Sequence, residues 1–286
     1  MQKRRAEILL TLPSLAWLVA FVLVPLLIVF FIAFKPSLPQ GGIGEGWSTA
    51  AVRALANPSY PELAWRTFWI SALTTVLCLV LALPVAFYMA RLAHAWRARL
   101  LLLVIVPFWT NFVIRVFAWQ QILHAEGMLA QCLRAIHLLG PADSLLYNAG
   151  AVVLVSVYTF LPFAILPLFA AAEKFDFGLL DAARDLGAKP LRAFVSVFLP
   201  GVRQGIVTAV FVVFIPMLGS YVIPDMVGGT DSEMLGNKIA QRNFNDRNIP
   251  QAAALSGALT LAVLIPILLR RRRCNSSDST MKPSTR

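Results

Sequence analysis

Residues 173–200, EKFDFGLLDAARDLGAKPLRAFVSVFLP, form the one long charged interruption in the hydrophobic second half of the chain. Asp176 is placed to N-cap a short helix whose apolar positions Leu179, Leu180, Ala183 and Leu186 fall on one face, and Gly187 is placed to end it. Pro190 suits the first position of a second helix, where its missing N–H costs nothing. Leu191, Phe194, Val195 and Phe198 then repeat at helical spacing before Leu199-Pro200 stops the run. The expected unit is a helix-turn-helix with its charges outside. A DNA-reading pair has that shape too, but the flanking segments are long apolar runs, so no nucleic-acid partner is expected.

Working outward, 58% of the 286 residues are hydrophobic, well above the ~45–50% usual in soluble domains. The chain reads as an all-α integral membrane protein. Its net charge of +11 sits in short Lys/Arg clusters at the ends of apolar runs, which is the signature of membrane topology rather than of a polyanion partner. The three cysteines, Cys78, Cys132 and Cys274, have neither disulfide-framework nor metal-ligand spacing.

The N-terminus has basic residues followed by an apolar run of roughly 26 residues without a small-residue cleavage site, so an uncleaved span at about 9–34 is expected. Further spans are expected at about 66–90, 100–123, 147–171, 203–223 and 251–269, each near the ~20 residues that cross a hydrocarbon core. Residues 1–8 form a short N-terminal segment, 9–271 the membrane domain, and 272–286, low in hydrophobicity, an unstructured tail. Residues 35–64 are rich in Pro, Gly and Ser and read as a polar loop. The segment 124–148 places Leu129, Leu133 and Ile136 at amphipathic spacing, as for a helix lying along the interface.

Six spans put both termini on one side. Seventeen of the 25 Lys and Arg residues then fall on that side, seven on the other, and Arg115 lies inside the third span. Basic residues beside spans are retained on the cytoplasmic face. Both termini and the stretch 173–200 are therefore expected in the cytoplasm.

Asp181-Ala182-Ala183, three residues, Gly187, nine residues, then Val197-x-Leu199-Pro200 resembles the EAA loop of ABC importer permeases. That pattern is Glu-Ala-Ala, three residues, Gly, nine residues, Ile-x-Leu-Pro. Asp181 for Glu and Val197 for Ile keep the chemistry. PFWTNFVIRVFAW (107–119), LPFAILPLFAAAEKFD (161–176), DAARDLGA (181–188), FIPMLGSYVIPDMVGG (214–229) and MLGNKIAQRNFNDRN (234–248) are similar, in one order, to spermidine/putrescine permeases. The resemblance implies a type I ABC importer permease architecture in a bacterial inner membrane. It implies as partners two ATPase subunits, a second permease and an extracytoplasmic binding protein, besides membrane lipid.

It further implies that Asp181, Ala182, Ala183, Arg184, Gly187, Leu199 and Pro200 dock on the ATPase. The small alanines permit close approach, Gly187 allows a reversal that a side chain might obstruct, and the charges pair with the partner. The chain carries no GxxxxGKS/T loop, so ATP and Mg are expected on the partner ATPase, with no cofactor or metal bound here. No catalytic constellation is visible.

Candidate pathway or gate residues are Trp109, Asn111, Arg115, Tyr158, Ser220, Tyr221 and Asp225. Arg115 is the most costly residue in the spans and is expected to face protein or a water-filled cavity. The aromatics can cover polyamine methylenes, whose ammonium groups also need carboxylates. Asp225 lies at a span edge. Some permeases of the resembled family carry Glu where this chain has Ser220, which shifts the expected acids toward a second permease. Pro84, Pro107, Pro162, Pro167 and Pro216 are expected to kink or break the spans.

The alternatives are an ABC permease for another small solute, such as another cationic amine, an aminophosphonate or ferric iron, and a secondary transporter working without an ATPase. The latter predicts embedded acids or inverted repeats, and neither is evident.

Overall fold

The computed structural model describes residues 2–137, 140 and 144–279. In chain order the helices are α1 (Gln2–Ala33), α2 (Ala50–Arg53), α3 (Ser59–Arg91), α4 (His94–Ile105), α5 (Phe112–Leu123), α6 (Met128–Ala135) and α7 (Ala149–Glu173). They continue as α8 (Gly178–Asp185), α9 (Pro190–Ala193), α10 (Leu199–Gly201), α11 (Arg203–Leu218), α12 (Val222–Val227), α13 (Leu235–Ala240) and α14 (Ile249–Ser279). Among the described residues there is no strand, only an isolated antiparallel bridge between Ser37 and Ile43.

Thr11–Ala33 of α1, all of α3 and α7, and Ile249–Pro266 of α14 are each long and apolar enough to cross a membrane. Two bent pairs, His94–Trp109 with Phe112–Ala135 at 89° and Pro190–Gly201 with Arg203–Leu218 at 73°, raise the number to six when each pair is one span. The apolar run at 100–123 is thus not one straight helix. Pro107 opens a 3-10 turn at Val106–Trp109, and the Asn111 side chain accepts the Val113 N–H at 2.8 Å, starting a new helix in a new direction. Pro84, Pro162, Pro167 and Pro216 lie inside helices that continue past them. Of the five prolines expected to disturb the spans, Pro107 and Pro216 lie beside a break, since α11 ends at Leu218, two residues after Pro216. The run at 203–223 is also divided, since α11 ends at Leu218 and the helix resumes only at Val222.

The chain forms two compact units, Met1–Pro61 with Lys238–Arg286, and Glu62–Asn237. In the first, α1, α2 and α14 pack through Ala33, Ala51, Ala253 and Ala254, whose small side chains let the backbones approach. Trp17 and Leu27 of α1 are more than 60% exposed, as on a helix that is apolar all round and meets lipid. The Gly42 N–H donates to the Arg247 carbonyl at 2.8 Å, and Gln251 Nε2 donates to the Tyr60 hydroxyl at 2.9 Å. The backbone of α14 runs on into the segment expected to be a tail; residues 280–286 lie outside the described residues.

In the second unit, α7 is the central element. It packs most extensively on α11, where a Cβ at Gly205 would come within 2.5 Å of Ala171 Cβ and 2.9 Å of the Pro167 carbonyl. The buried face of α3 carries Thr67, Ser71, Thr74, Cys78, Ala82, Ala86 and Ala90, while Trp65, Trp69, Val80 and Tyr88 are exposed on the other face. With Leu63, Ile70 and Met89 also buried, the inward face is mostly small and the exposed face large and apolar, the inverse of a soluble core, because in lipid close packing, not burial from water, holds helices together. Residues 224–237 are tied to other elements by Arg66 Nη1 to the Thr230 carbonyl (3.0 Å), the Leu235 N–H to Thr67 Oγ1 (2.8 Å), the Tyr147 N–H to the Val227 carbonyl (2.9 Å) and Gln120 Nε2 to the Met226 carbonyl (3.0 Å). A Cβ at Gly229 would run into the Tyr147 carbonyl, so only glycine fits there.

Candidate functional site

The helix pair at 176–201 is built by local chemistry. Asp176 Oδ1 accepts the Gly178 N–H at 2.9 Å, but the N-cap position of α8 is Phe177, one residue later than expected, and no side chain caps it. At its far end the Ala188 N–H reaches the Ala183 carbonyl (3.0 Å) and the Gly187 N–H the Arg184 carbonyl (2.9 Å), the paired bonds of a Schellman cap, with Gly187 at φ +87°. A Cβ at Gly187 would meet nothing within 4 Å. Glycine is therefore required by backbone conformation and not, as the expectation had it, because a side chain would obstruct the reversal. Pro190 opens α9 at its first turn.

The helix widens into a π turn at Phe194–Phe198 ahead of Pro200, which has no N–H to offer, and runs on to Gly201 before turning at Val202. The expected stop at Leu199-Pro200 falls one residue later. A Cβ at Gly201 would run into the Phe175 ring, so that turn also needs glycine.

The apolar residues of the pair divide between two faces. Leu180, Ala193 and Phe198 are buried, and Ala183 and Phe194 pack against them. Phe87, Phe175, Phe177, Phe194 and Phe198 interlock, with Phe87 edge-on to Phe198 at 4.8 Å, and the Arg91 guanidinium lies 5.4 Å from Phe87 and 5.7 Å from Phe177. Leu179, Leu186, Leu191 and Val195 point outward, with Leu186 91% and Leu191 75% exposed. The expected single apolar face is wider than the contact it makes. Only its Leu180–Ala183 side touches this unit, and the rest, with exposed Asp181, Ala182 and Arg184, forms an apolar surface edged by charge. Among the described residues neither Asp181 nor Arg184 makes an ion pair.

A cavity of about 400 Å3 lies between the bend before α5, α7 and the α11–α12 break. Phe108, Phe112 and Arg115 line one side, Thr159, Phe160 and Phe163 another, and Pro216, Gly219, Ser220, Tyr221 and Val222 the third. Both helix breaks thus open onto one space. Asn237 Nδ2 donates to the Tyr221 carbonyl at 3.1 Å, and Gly236 lies against the Ser220 carbonyl with no room for a Cβ, which holds the Gly219–Tyr221 turn.

Arg115 lies with its guanidinium 4.6 Å from the centre of the Phe108 ring, while its Nε and Nη1 are enclosed without a hydrogen-bond partner. A cation–π contact is worth ~0.5–2 kcal/mol, against ~2.5–3.5 kcal/mol for an arginine near a bilayer centre. The ring alone does not balance the charge.

Three of the seven pathway candidates, Arg115, Ser220 and Tyr221, meet at this cavity. Asn111 caps α5 beside it. Trp109 is 81% exposed, Tyr158 stacks edge-on to Trp119 at 5.3 Å, and Asp225 is exposed in the first turn of α12; none of the three lines the cavity. Phe108, Thr159, Phe163 and Gly219 are lining residues not anticipated from the sequence. The Phe160–Phe163 spacing on α7 was an available signal; nothing local marks Thr159.

No family model matches the chain. It is 34% identical over 257 residues to the spermidine/putrescine transport system permease protein PotB of Haemophilus influenzae, covering 90% of each chain. It is 33% identical over 253 residues to PotB of Escherichia coli, covering 88% of this chain and 92% of that one. The inner membrane ABC transporter permease protein YdcU of Escherichia coli is 32% identical over 233 residues, covering 77% and 72%. In fold it superposes on a chain of a bacterial ABC transporter that imports alginate, with a TM-score of 0.64 over 95% of its length at 14% identity. The chain belongs to the PotB family of spermidine/putrescine transport permeases.

Proposed function

We propose that this chain is a membrane-spanning permease subunit of an ATP-driven importer that moves spermidine and putrescine into the cytoplasm. The observation that carries the reading is the similarity to PotB proteins along about 90% of the chain. Each bent pair counts as one of six spans, both termini and the α8–α9 pair face the cytoplasm, and the membrane is the bacterial inner membrane. Two ATPase subunits bind and hydrolyse ATP with Mg. A second permease completes the pathway, and an extracytoplasmic binding protein delivers the cargo.

The outward face of Leu179, Ala182, Leu186, Leu191 and Val195 supports ATPase docking, because exposed apolar side chains edged by Asp181 and Arg184 suit a protein groove. Gly187 holds the turn, while Ala183 and Leu199 pack it onto the membrane domain, so that movement of the pair is passed to α7 and α11.

One observation favours a second cargo reading. The cavity presents a cation and no carboxylate, which suits an anionic small solute such as an aminophosphonate better than an ammonium group. Uptake into proteoliposomes holding the whole complex decides between them. ATP-dependent accumulation of labelled spermidine, delivered by the cognate binding protein, is expected. A binding protein that ignores spermidine and putrescine but drives uptake of an anion overturns the polyamine reading.

A further inference from the structure

The cavity holds a charge that this chain does not balance. Arg115 Nε and Nη1 are enclosed and unbonded. The ion pairs Arg66–Glu62, Arg97–Glu173 and Arg242–Asp246 all lie elsewhere. Asp225 is close in sequence but exposed on α12 and outside the lining. The lining offers hydroxyls at Thr159, Ser220 and Tyr221, and that of Thr159 already donates to the Val155 carbonyl at 2.8 Å. Phe112, the first residue of α5, lines the same space, so the positive end of that helix lies beside the guanidinium and adds to its field.

We propose that Arg115 is the docking point for a carboxylate on the second membrane-spanning subunit, with the cavity as its socket. This rests on the reading of the chain as one of two permeases. Charge excludes the cationic cargo as the occupant. The walls favour a protein carboxylate: one cation and four phenylalanines fit a single acid on an otherwise apolar helix face, where Arg and carboxylate pair through two parallel N–H···O bonds. The pair joins the two subunits where the third and fifth spans are broken and closes the cavity to cations.

The test uses the assembled transporter in membranes. Arg115→Lys keeps the charge and places a primary amine in the socket. Dicyclohexylcarbodiimide then condenses that amine with an adjacent carboxylate, forming an amide as the reagent takes up the water. The expected result is a covalent heterodimer whose linked peptide joins position 115 to one Asp or Glu of the second membrane subunit. Ile114→Lys, at a position 66% exposed, gives none. Arg115→Glu is expected to lose co-purification of the second subunit, and exchanging the identified acid for Arg is expected to restore it.

A second subunit present without cross-linking overturns the proposal alone. So does an anionic lipid that stays on the wild-type complex in native mass spectrometry and is lost from Arg115→Gln, or binding of the anionic cargo at that position. A wild-type chain that purifies with no second membrane subunit overturns the two-permease reading, and the proposal with it.

Discussion

Replacing Gly187 separates a backbone requirement from a steric one. Its φ of +87° lies in the left-handed region, and a Cβ there would enter open space. Left-handed backbone costs an ordinary L-residue about 1–2 kcal/mol, while Asn is tolerated because its short polar side chain bonds locally. That energy corresponds to roughly a 5–30-fold change in the population of the correct α8–α9 geometry. Gly187→Val and Gly187→Asn add similar bulk but differ in this cost. With ATP-driven uptake and ATPase co-purification measured in the reconstituted complex, Gly187→Val is expected to lose roughly 5–30-fold and Gly187→Asn to stay near wild type. Membrane insertion is unchanged in both. Equal losses for Asn and Val would refute the reasoning, since bulk against the ATPase would then matter and not φ. Normal uptake in both would show that the cap does not set the coupling geometry.

Leu186→Asp, at a position 91% exposed, is expected to leave the thermal stability of the isolated permease unchanged within about 0.5 kcal/mol and to abolish ATPase co-purification; a stable ATPase complex would argue against this docking face. Phe198→Ala removes a ring that is 1% exposed and interlocked with Phe87, Phe175 and Phe194, so a loss of about 3–5 kcal/mol is expected, read as a fall in melting temperature in detergent. Cys132 is exposed and Cys78 fully buried; a membrane-impermeant maleimide added to the outside of intact cells is expected to label Cys132 and spare Cys78, and labelling of Cys132 only after lysis would reverse the proposed topology.

The local devices were legible because they depend on a few adjacent residues. Gly187 at a helix end and Pro190 at a helix start are choices of backbone chemistry, and each lies where its chemistry places it, while Asp176 falls one residue short of the N-cap at Phe177. The apolar spans follow from length and composition. The face of α8 was not legible, since Leu179, Leu180, Ala183 and Leu186 occupy one arc and only a neighbouring Phe cluster selects Leu180 and Ala183 from it. The prolines show the same limit. Pro84, Pro162 and Pro167 sit within continuing helices, whereas at Pro107 the following Asn111 caps a new helix and the chain turns by 89°.

What the sequence alone determined is thus the all-helical membrane class, the segments able to span, and the cap, turn and proline signals of the 173–200 stretch, because hydropathy and φ preferences act over a few residues. Tertiary structure decided that Phe108, Arg115, Thr159, Ser220 and Tyr221 share one cavity. It also decided which glycines, such as Gly201, Gly205 and Gly229, must leave room for a neighbour. These are meetings of residues distant in the chain, set by the angle of each break and the closeness of each helix pair, which no local pattern encodes.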